Sequence, residues 1–259
     1  YFMIFDELNS VEHYIIYVLS GFNLNNKTKK AGSYKWIYRN SNEIKRSIRE
    51  VFVKNDLVNS LINLNPEIKK EPALVDEVLF KLEDIINSSR EIGLVKANEE
   101  LFKWLCGERS MPFGKNNQHI PIKLIDFDNL SNNSFIITNQ FKIQHSELKI
   151  PDIVMIINGI PVVVGEAKTP IRPAISWLDG AHEIHDIYEN TSPQLFVPNI
   201  LSFATEGKEL FYGGVRNPLQ FWSPWRVNDD ETNIAKKLGL SEIKDELIDL
   251  LSPERLLDI

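Results

Sequence analysis

Apolar residues recur at helical spacing in the first part of the chain and in short unbroken runs in the second. In residues 6–19, Leu8, Val11, Tyr14, Ile15, Val18 and Leu19 fall on one helical face, which predicts a helix closing near Gly21. Residues 22–42, rich in Asn, Lys, Ser and Gly, read as loop. A broken helix is predicted around Asn42–Leu64, punctuated by Pro66 and Pro72. Firmer helices follow over Ala73–Asn87, with Leu74, Val78, Leu82 and Ile85 on one face, and over Asn98–Leu105. After Pro112 the pattern changes. Ile122-Lys123-Leu124-Ile125 and Phe135-Ile136-Ile137 predict strands separated by a turn over Asn129–Asn133. Ile153–Ile157 and Val162–Val164 are continuously apolar, as in central strands covered on both faces, and Asn158-Gly159 between them is a hairpin signal. Trp177–Tyr188 reads as helix, Leu195–Ala204 and Leu210–Gly213 as strands, and 231–251 as helix. There is no internal repeat. The order predicts a mixed α/β domain whose mostly antiparallel sheet is flanked by helices.

Composition narrows the function classes. At 259 residues the chain suits one large domain or two small ones. Hydrophobic residues at 43% and charged residues at 25% exclude a disordered tail, a collagen-like fibre and a disulfide scaffold. A net charge of −7 argues against a general nucleic-acid coat and leaves room for a local basic cleft. The single cysteine, Cys106, follows an apolar run and is expected to be a buried thiol in a reducing, cytoplasmic setting. No apolar run approaches a membrane span, and the start has no basic segment of a signal peptide. Tyr1-Phe2 reads as a vector remnant before Met3. Ser252-Pro253-Glu254 is a good helix start about two turns before Ile259, so the chain is expected to be part of a longer protein.

The chemistry concentrates between Pro151 and Lys168. Asp152 opens one apolar strand, and Glu166 and Lys168 end the next. Charges so placed are costly unless paired. A hairpin loop of two or three residues starting at Asn158 sets Asp152 opposite Gly165 or Glu166, and opposed Cβ atoms lie roughly 4.5–5.5 Å apart. Alternation puts Glu166 and Lys168 on one face. Two carboxylates that close repel unless a cation sits between them. Oxygen ligands and waters suit Mg²⁺ or Mn²⁺, and with Lys168 the set fits metal-assisted phosphodiester hydrolysis. The competing reading is a structural Asp–Glu–Lys ion cluster at a sheet edge. Other candidates are weaker. His182 and His185 in His182-Glu183-Ile184-His185 are three residues apart, whereas zinc proteases need four, so both are expected on the solvent side of an amphipathic helix. Asp126-Phe127-Asp128 suits turn chemistry. Trp222, Trp225 and Arg226 could stack on bases, but core packing is expected. Gly114-Lys115-Asn116 and Gly207-Lys208-Glu209 lack the Ser/Thr of a P-loop, so no nucleotide cofactor is expected here.

Together these segments resemble a known family. Ile122-Lys123-Leu124-Ile125-Asp126-Phe127, Asn139-Gln140-Phe141, Pro151-Asp152-Ile153-Val154, Asn158-Gly159-Ile160-Pro161 and Gly165-Glu166-Ala167-Lys168 are similar to the N-terminal nuclease domain of the type I restriction enzyme R subunit. Phe203-Ala204-Thr205-Glu206-Gly207-Lys208-Glu209, Tyr212-Gly213 and Ser10-Val11-Glu12 also fit. The resemblance covers about residues 120–225 and, thinly, 6–22. It implies a PD-(D/E)xK core over 1–230 with a mostly helical insertion at 23–115, and 231–259 as a helical linker towards an ATP-dependent translocase. It implies Asp152 and Glu166 as metal ligands, Glu12 as an additional one, and Lys168 as the catalytic lysine. The family often carries Gln-x-x-x-Tyr on the following helix. Here the matching positions are Glu183 and Ile187, with Tyr188 one residue further on. The implied substrate is double-stranded DNA and the implied partners are methyltransferase and specificity subunits, with ATP used only by the motor. A stand-alone Mrr-like or repair nuclease, or a catalytically silent subunit-docking domain, are the alternatives.

Overall fold

The two unbroken apolar runs form the middle of a seven-stranded mixed sheet. The computed structural model describes residues 11–169, 176–227 and 243–258. Numbered in chain order, the sheet strands are β1 (Ile37–Tyr38), β2 (Phe135–Asn139), β3 (Ile153–Ile157), β4 (Ile160–Ala167), β5 (Leu201–Thr205), β6 (Leu210–Gly213) and β7 (Ser223–Pro224). They lie side by side in that same order. The β1/β2 and β4/β5 pairs are parallel and the other four antiparallel. All of β3 and all of β4 except Ala167 are buried, which is why neither strand alternates in sequence.

The Asn158-Gly159 turn is formed as expected, with φ of 52° and 83°, the left-handed pair that a two-residue hairpin needs. Asn158 is buried. Its amide donates to Leu124 O and Asn133 Oδ1, both at 2.8 Å, and its Oδ1 accepts from Ser134 N at 2.8 Å. Gly159 meets the start of helix α2 (Lys54–Leu64): its carbonyl accepts from Val53 N at 2.8 Å. A Cβ on it would lie 2.6 Å from Leu57 N and Val53 O. The helices of the first half, α2, α3 (Pro66–Lys70), α4 (Leu74–Ser88) and α5 (Leu94–Leu105), share one apolar core with the sheet. The Asn98 amide ties α5 to Val197 O and Asn199 O, each at 2.9 Å. Helix α1 (Val11–Ser20) buries Ile15 and Ile16, packs on β2 and ends at Gly21 with φ 71°. Against α1 also lies the helix Lys244–Leu250, and Trp36 Nε1 donates to Leu251 O at 2.7 Å.

Several expectations are corrected. Ile122, Leu124 and Ile125 are buried, but the segment is not a sheet strand. The side-chain amide of Asn65 takes the place of a ladder there, accepting from Lys123 N at 2.8 Å and donating to Lys123 O at 2.9 Å. Between a 3₁₀ turn at Ser41–Glu43 and α2 the path is irregular, because Val51, Phe52 and Val53 are apolar for packing rather than for a helix face. Pro193–Phe196 is a helical turn started by its proline, and β5 begins only at Leu201. The loop over 22–42 contains the short strand β1. Cys106 is exposed, since it caps α5 instead of lining it. Trp222 is buried, as expected. The Ser252 hydroxyl caps Pro253–Leu256, accepting from Arg255 N at 3.2 Å. Residues 6–10 and 231–242 of the predicted terminal helices lie outside the described residues.

Candidate active site

Asp152 stands one residue before β3 and Glu166 near the end of β4. The register brings them together through a single irregularity. Ile160 pairs with Ile157 and Pro161 with Ile156, but Met155 pairs with Val163, so Val162 is an extra, bulged residue. Without it Asp152 would face Gly165. With it Gly165 faces Ile153, and the next step sets Glu166 opposite Asp152. Hydrogen bonds tie the two strand ends: Ala167 N donates to Asp152 Oδ2 at 3.0 Å and Asp152 N to Glu166 Oε1 at 3.3 Å. Helix α6 (Trp177–His182) lies over Glu166. Gly180 allows this, because a Cβ there would meet Glu166 Cβ at 3.1 Å and Ala204 Cβ at 3.3 Å. Glu166 is left 2% exposed.

Lys168 shares the face of Glu166, with Nζ 3.2 Å from Glu166 Oε2. The same ammonium makes a short ion pair with Glu183. Glu183 in turn accepts from the Tyr188 hydroxyl at 2.9 Å. Residues Glu183–Tyr188 form a π-helical turn, in which residues five apart rather than four come into line. The widened turn takes up the extra residue, so Tyr188 occupies the site and Ile187, at the counted position, is 43% exposed.

On the other side of Asp152, the Gln140 amide donates to Asp152 Oδ1 at 3.1 Å and to Glu12 Oε2 at 2.8 Å. Asn139 Nδ2 donates to Glu12 Oε1 at 2.5 Å, and its own Oδ1 accepts from the Tyr38 hydroxyl at 2.9 Å. Glu12, on α1, therefore joins the constellation one side chain removed. The sequence assigned no role to Asn139 or Gln140. Their signals are a polar pair at the end of an apolar strand and the place of Asn139-Gln140-Phe141 among the segments that carry the family resemblance.

The electrostatics follow from burial. Glu166 is pushed up to about 9, first by desolvation and then by the charge of Asp152, against the pull of Lys168. Desolvation also raises Asp152, opposed by the Ala167 N–H, and raises Glu12, opposed by the Asn139 amide. Burial alone would lower Lys168, but Glu166 and Glu183 outweigh it and hold its ammonium above the usual range. Acidic charge thus exceeds basic charge in a poorly solvated strip. Among the described residues no three His, Cys, Asp or Glu side chains converge on one point. The donor set is two adjacent carboxylates, with Glu12 beyond Gln140. Hard oxygen donors without imidazole or thiolate fit a magnesium-like ion that keeps several waters, and a cation would offset the burial that raises both carboxyls.

The remaining candidates lie elsewhere. His182 Nδ1 and His185 Nδ1 both turn to Asp186, at 2.6 and 2.7 Å, on the helix surface. Asp126 Oδ1 accepts from Asp128 N and Asn129 N, both at 3.1 Å, an Asx turn. Trp225 Nε1 donates to Asp249 Oδ2 at 2.9 Å, and Arg226 is exposed. No helix among the described residues is long and apolar enough to cross a membrane.

A family model for the N terminus of the type I restriction enzyme R protein matches residues 8–221. The chain is similar to the type I restriction enzyme HindI endonuclease subunit of Haemophilus influenzae, 29% identical over 213 residues, covering 80% of this chain and 19% of that protein. It is also similar to MjaIXP of Methanocaldococcus jannaschii, named as a candidate type I restriction enzyme endonuclease subunit. The identity there is 26% over 203 residues, covering 74% of this chain and 18% of that protein. The chain thus spans about a fifth of the length of these relatives.

Proposed function

This chain belongs to the family of type I restriction enzyme R protein N termini, and on that premise we propose that it is a metal-dependent endonuclease domain that cuts double-stranded DNA. Its proposed centre is Asp152, Glu166 and Lys168. The observation that carries this reading is the pair of buried carboxyls opposite each other on neighbouring strands, both raised by desolvation, with one ammonium bonded beside them. Chains of this kind act in restriction systems, and the proposed setting is a cytoplasmic complex with methyltransferase and specificity subunits. There ATP would be used by a motor outside this chain.

Asp152 and Glu166 would hold an Mg²⁺ or Mn²⁺ ion, with Glu12 in reserve beyond Gln140. When bound, such an ion stabilises charge on a phosphate and lowers the pKa of an attacking water. Lys168 remains an ammonium here, so its role is to donate hydrogen bonds and neutralise charge at the phosphate rather than to serve as the base. Glu183 and Glu166 hold its Nζ between them, and Tyr188 holds Glu183. Helix α6 excludes water from the rear of Glu166, which strengthens each of these interactions. The test is plasmid cleavage by the assembled complex with Mg²⁺ and ATP. Asp152→Ala and Lys168→Ala should each abolish cutting and leave ATP hydrolysis intact. Normal cutting by both variants would place the nuclease centre elsewhere.

A further inference from the structure

Gln140 is left over once the metal and lysine roles are assigned, and its geometry is unusual. It follows β2 with φ 51°, a left-handed conformation that residues other than Gly, Asn and Asp seldom adopt. The backbone is held there from both sides. Gln140 N donates to Asp152 O and the buried Phe141 donates its N–H to Pro151 O, each at 3.1 Å. The bend takes the Gln140 side chain off the path of the strand. Its single nitrogen, with two hydrogens, spans Asp152 Oδ1 and Glu12 Oε2. Strain of this kind persists only where surrounding structure fixes it, and it concentrates at functional sites.

We infer that Gln140 is a positioning residue: its amide fixes the carboxylate plane of Asp152 and couples it to Glu12 on α1. This inference rests on the reading that Asp152 and Glu166 hold a divalent ion. The Ala167 N–H fixes one oxygen of Asp152 and the Gln140 amide fixes the other, so two separate chain segments set the carboxylate. The chemistry favours Gln at this point. A Lys would neutralise the charge that attracts the ion, and a Glu would add a third repelling carboxylate. A neutral amide with two donors orients both acids and leaves their charge in place. Hydrogen-bond partners of metal-binding carboxylates act in this way, and removing one weakens metal binding by about tenfold or more.

The test is titration calorimetry with Mn²⁺ on the purified protein, comparing wild type, Gln140→Met, Gln140→Gly and Asp152→Asn. Met keeps the length of the side chain and removes the donor. Gly removes the side chain and relieves the left-handed backbone, so it guards against loss of fold in the Met variant. Asp152→Asn should lose Mn²⁺ binding. Both Gln140 variants should bind about tenfold more weakly, while their melting temperatures in EDTA stay within a few degrees of wild type or, for Gly, rise. A purely structural Gln140 would lower the melting temperature and leave Mn²⁺ affinity unmoved. Wild-type or tighter Mn²⁺ binding by both Gln140 variants, with Asp152→Asn inactive in binding, overturns this inference alone. Absence of Mn²⁺ binding by wild type, or its retention in Asp152→Asn, overturns the metal reading beneath it.

Discussion

The two ends of the β3–β4 hairpin treat buried polar groups in opposite ways. At the closed end Asn158 satisfies a backbone donor, a backbone acceptor and a side-chain acceptor at 2.8 Å each. At the open end Asp152 and Glu166 are set against each other, and both are raised by burial with a single lysine in partial compensation. The strands and their burial are the same. What differs is whether the cost of removing a polar group from water has been offset within the chain. The closed end offsets it and secures the fold. The open end leaves an excess of negative charge, which is what a cation-dependent site requires.

Breaking the open end should have the largest effect, on activity. Glu166→Ala should reduce DNA cleavage by the assembled complex by about a thousandfold or more, the loss of several kcal/mol of transition-state stabilisation. ATP hydrolysis should survive. Metal-free stability should be unchanged or higher by about 0–2 kcal/mol, because the cost of burying that carboxyl beside Asp152 has gone. A melting temperature several degrees lower with cleavage intact would identify a structural ion cluster. Breaking the closed end should do the reverse. Asn158→Ala leaves Ser134 N and Leu124 O without their partner and should cost about 2–3 kcal/mol in denaturant unfolding. Cleavage per folded molecule should be unchanged.

A titration sharpens the contrast. A carboxyl with a higher pKa in the folded chain than in the unfolded one favours folding while protonated. The contribution of Glu166 is complete below about pH 4.5 and is lost as pH rises towards about 9. The melting temperature in EDTA should therefore fall across that window, Glu166→Gln should flatten the fall, and Mn²⁺ should offset it at the alkaline end. The smallest effect is expected from Tyr188→Phe, which removes the donor to Glu183 and should cost about 1 kcal/mol of stability. Thermal melting resolves a change of that size.

The hairpin was legible in the sequence because its signals are local: two apolar runs, an Asn-Gly turn and charges at fixed offsets. The bulge at Val162 was not, so the register stayed open between Gly165 and Glu166 until the pairing resolved it. Gln140 stood in a family-like segment, but its role was hidden for a different reason. Its role depends on a left-handed backbone and on Glu12, 128 residues away. Elsewhere the apolar pattern misled where side-chain amides replaced a ladder, as Asn65 does beside Lys123, and where a proline restarted a helix at Pro193.

The π-helical turn bears on how family patterns are searched. One residue more than a fixed spacing allows would ordinarily rotate everything after it by about 100° around a helix. Here the displacement is healed within Glu183–Tyr188, and Glu189 immediately after it is seated in the interior, accepting from Arg216 N at 3.1 Å. A pattern that counts letters scores this chain as lacking its tyrosine, while the backbone delivers the hydroxyl to its acceptor. Insertions at this point are thus tolerable in a way that insertions in β4 are not, since a slip there would turn every following side chain to the opposite face. Searches for related chains gain sensitivity by allowing a gap in the helix and forbidding one in the strand.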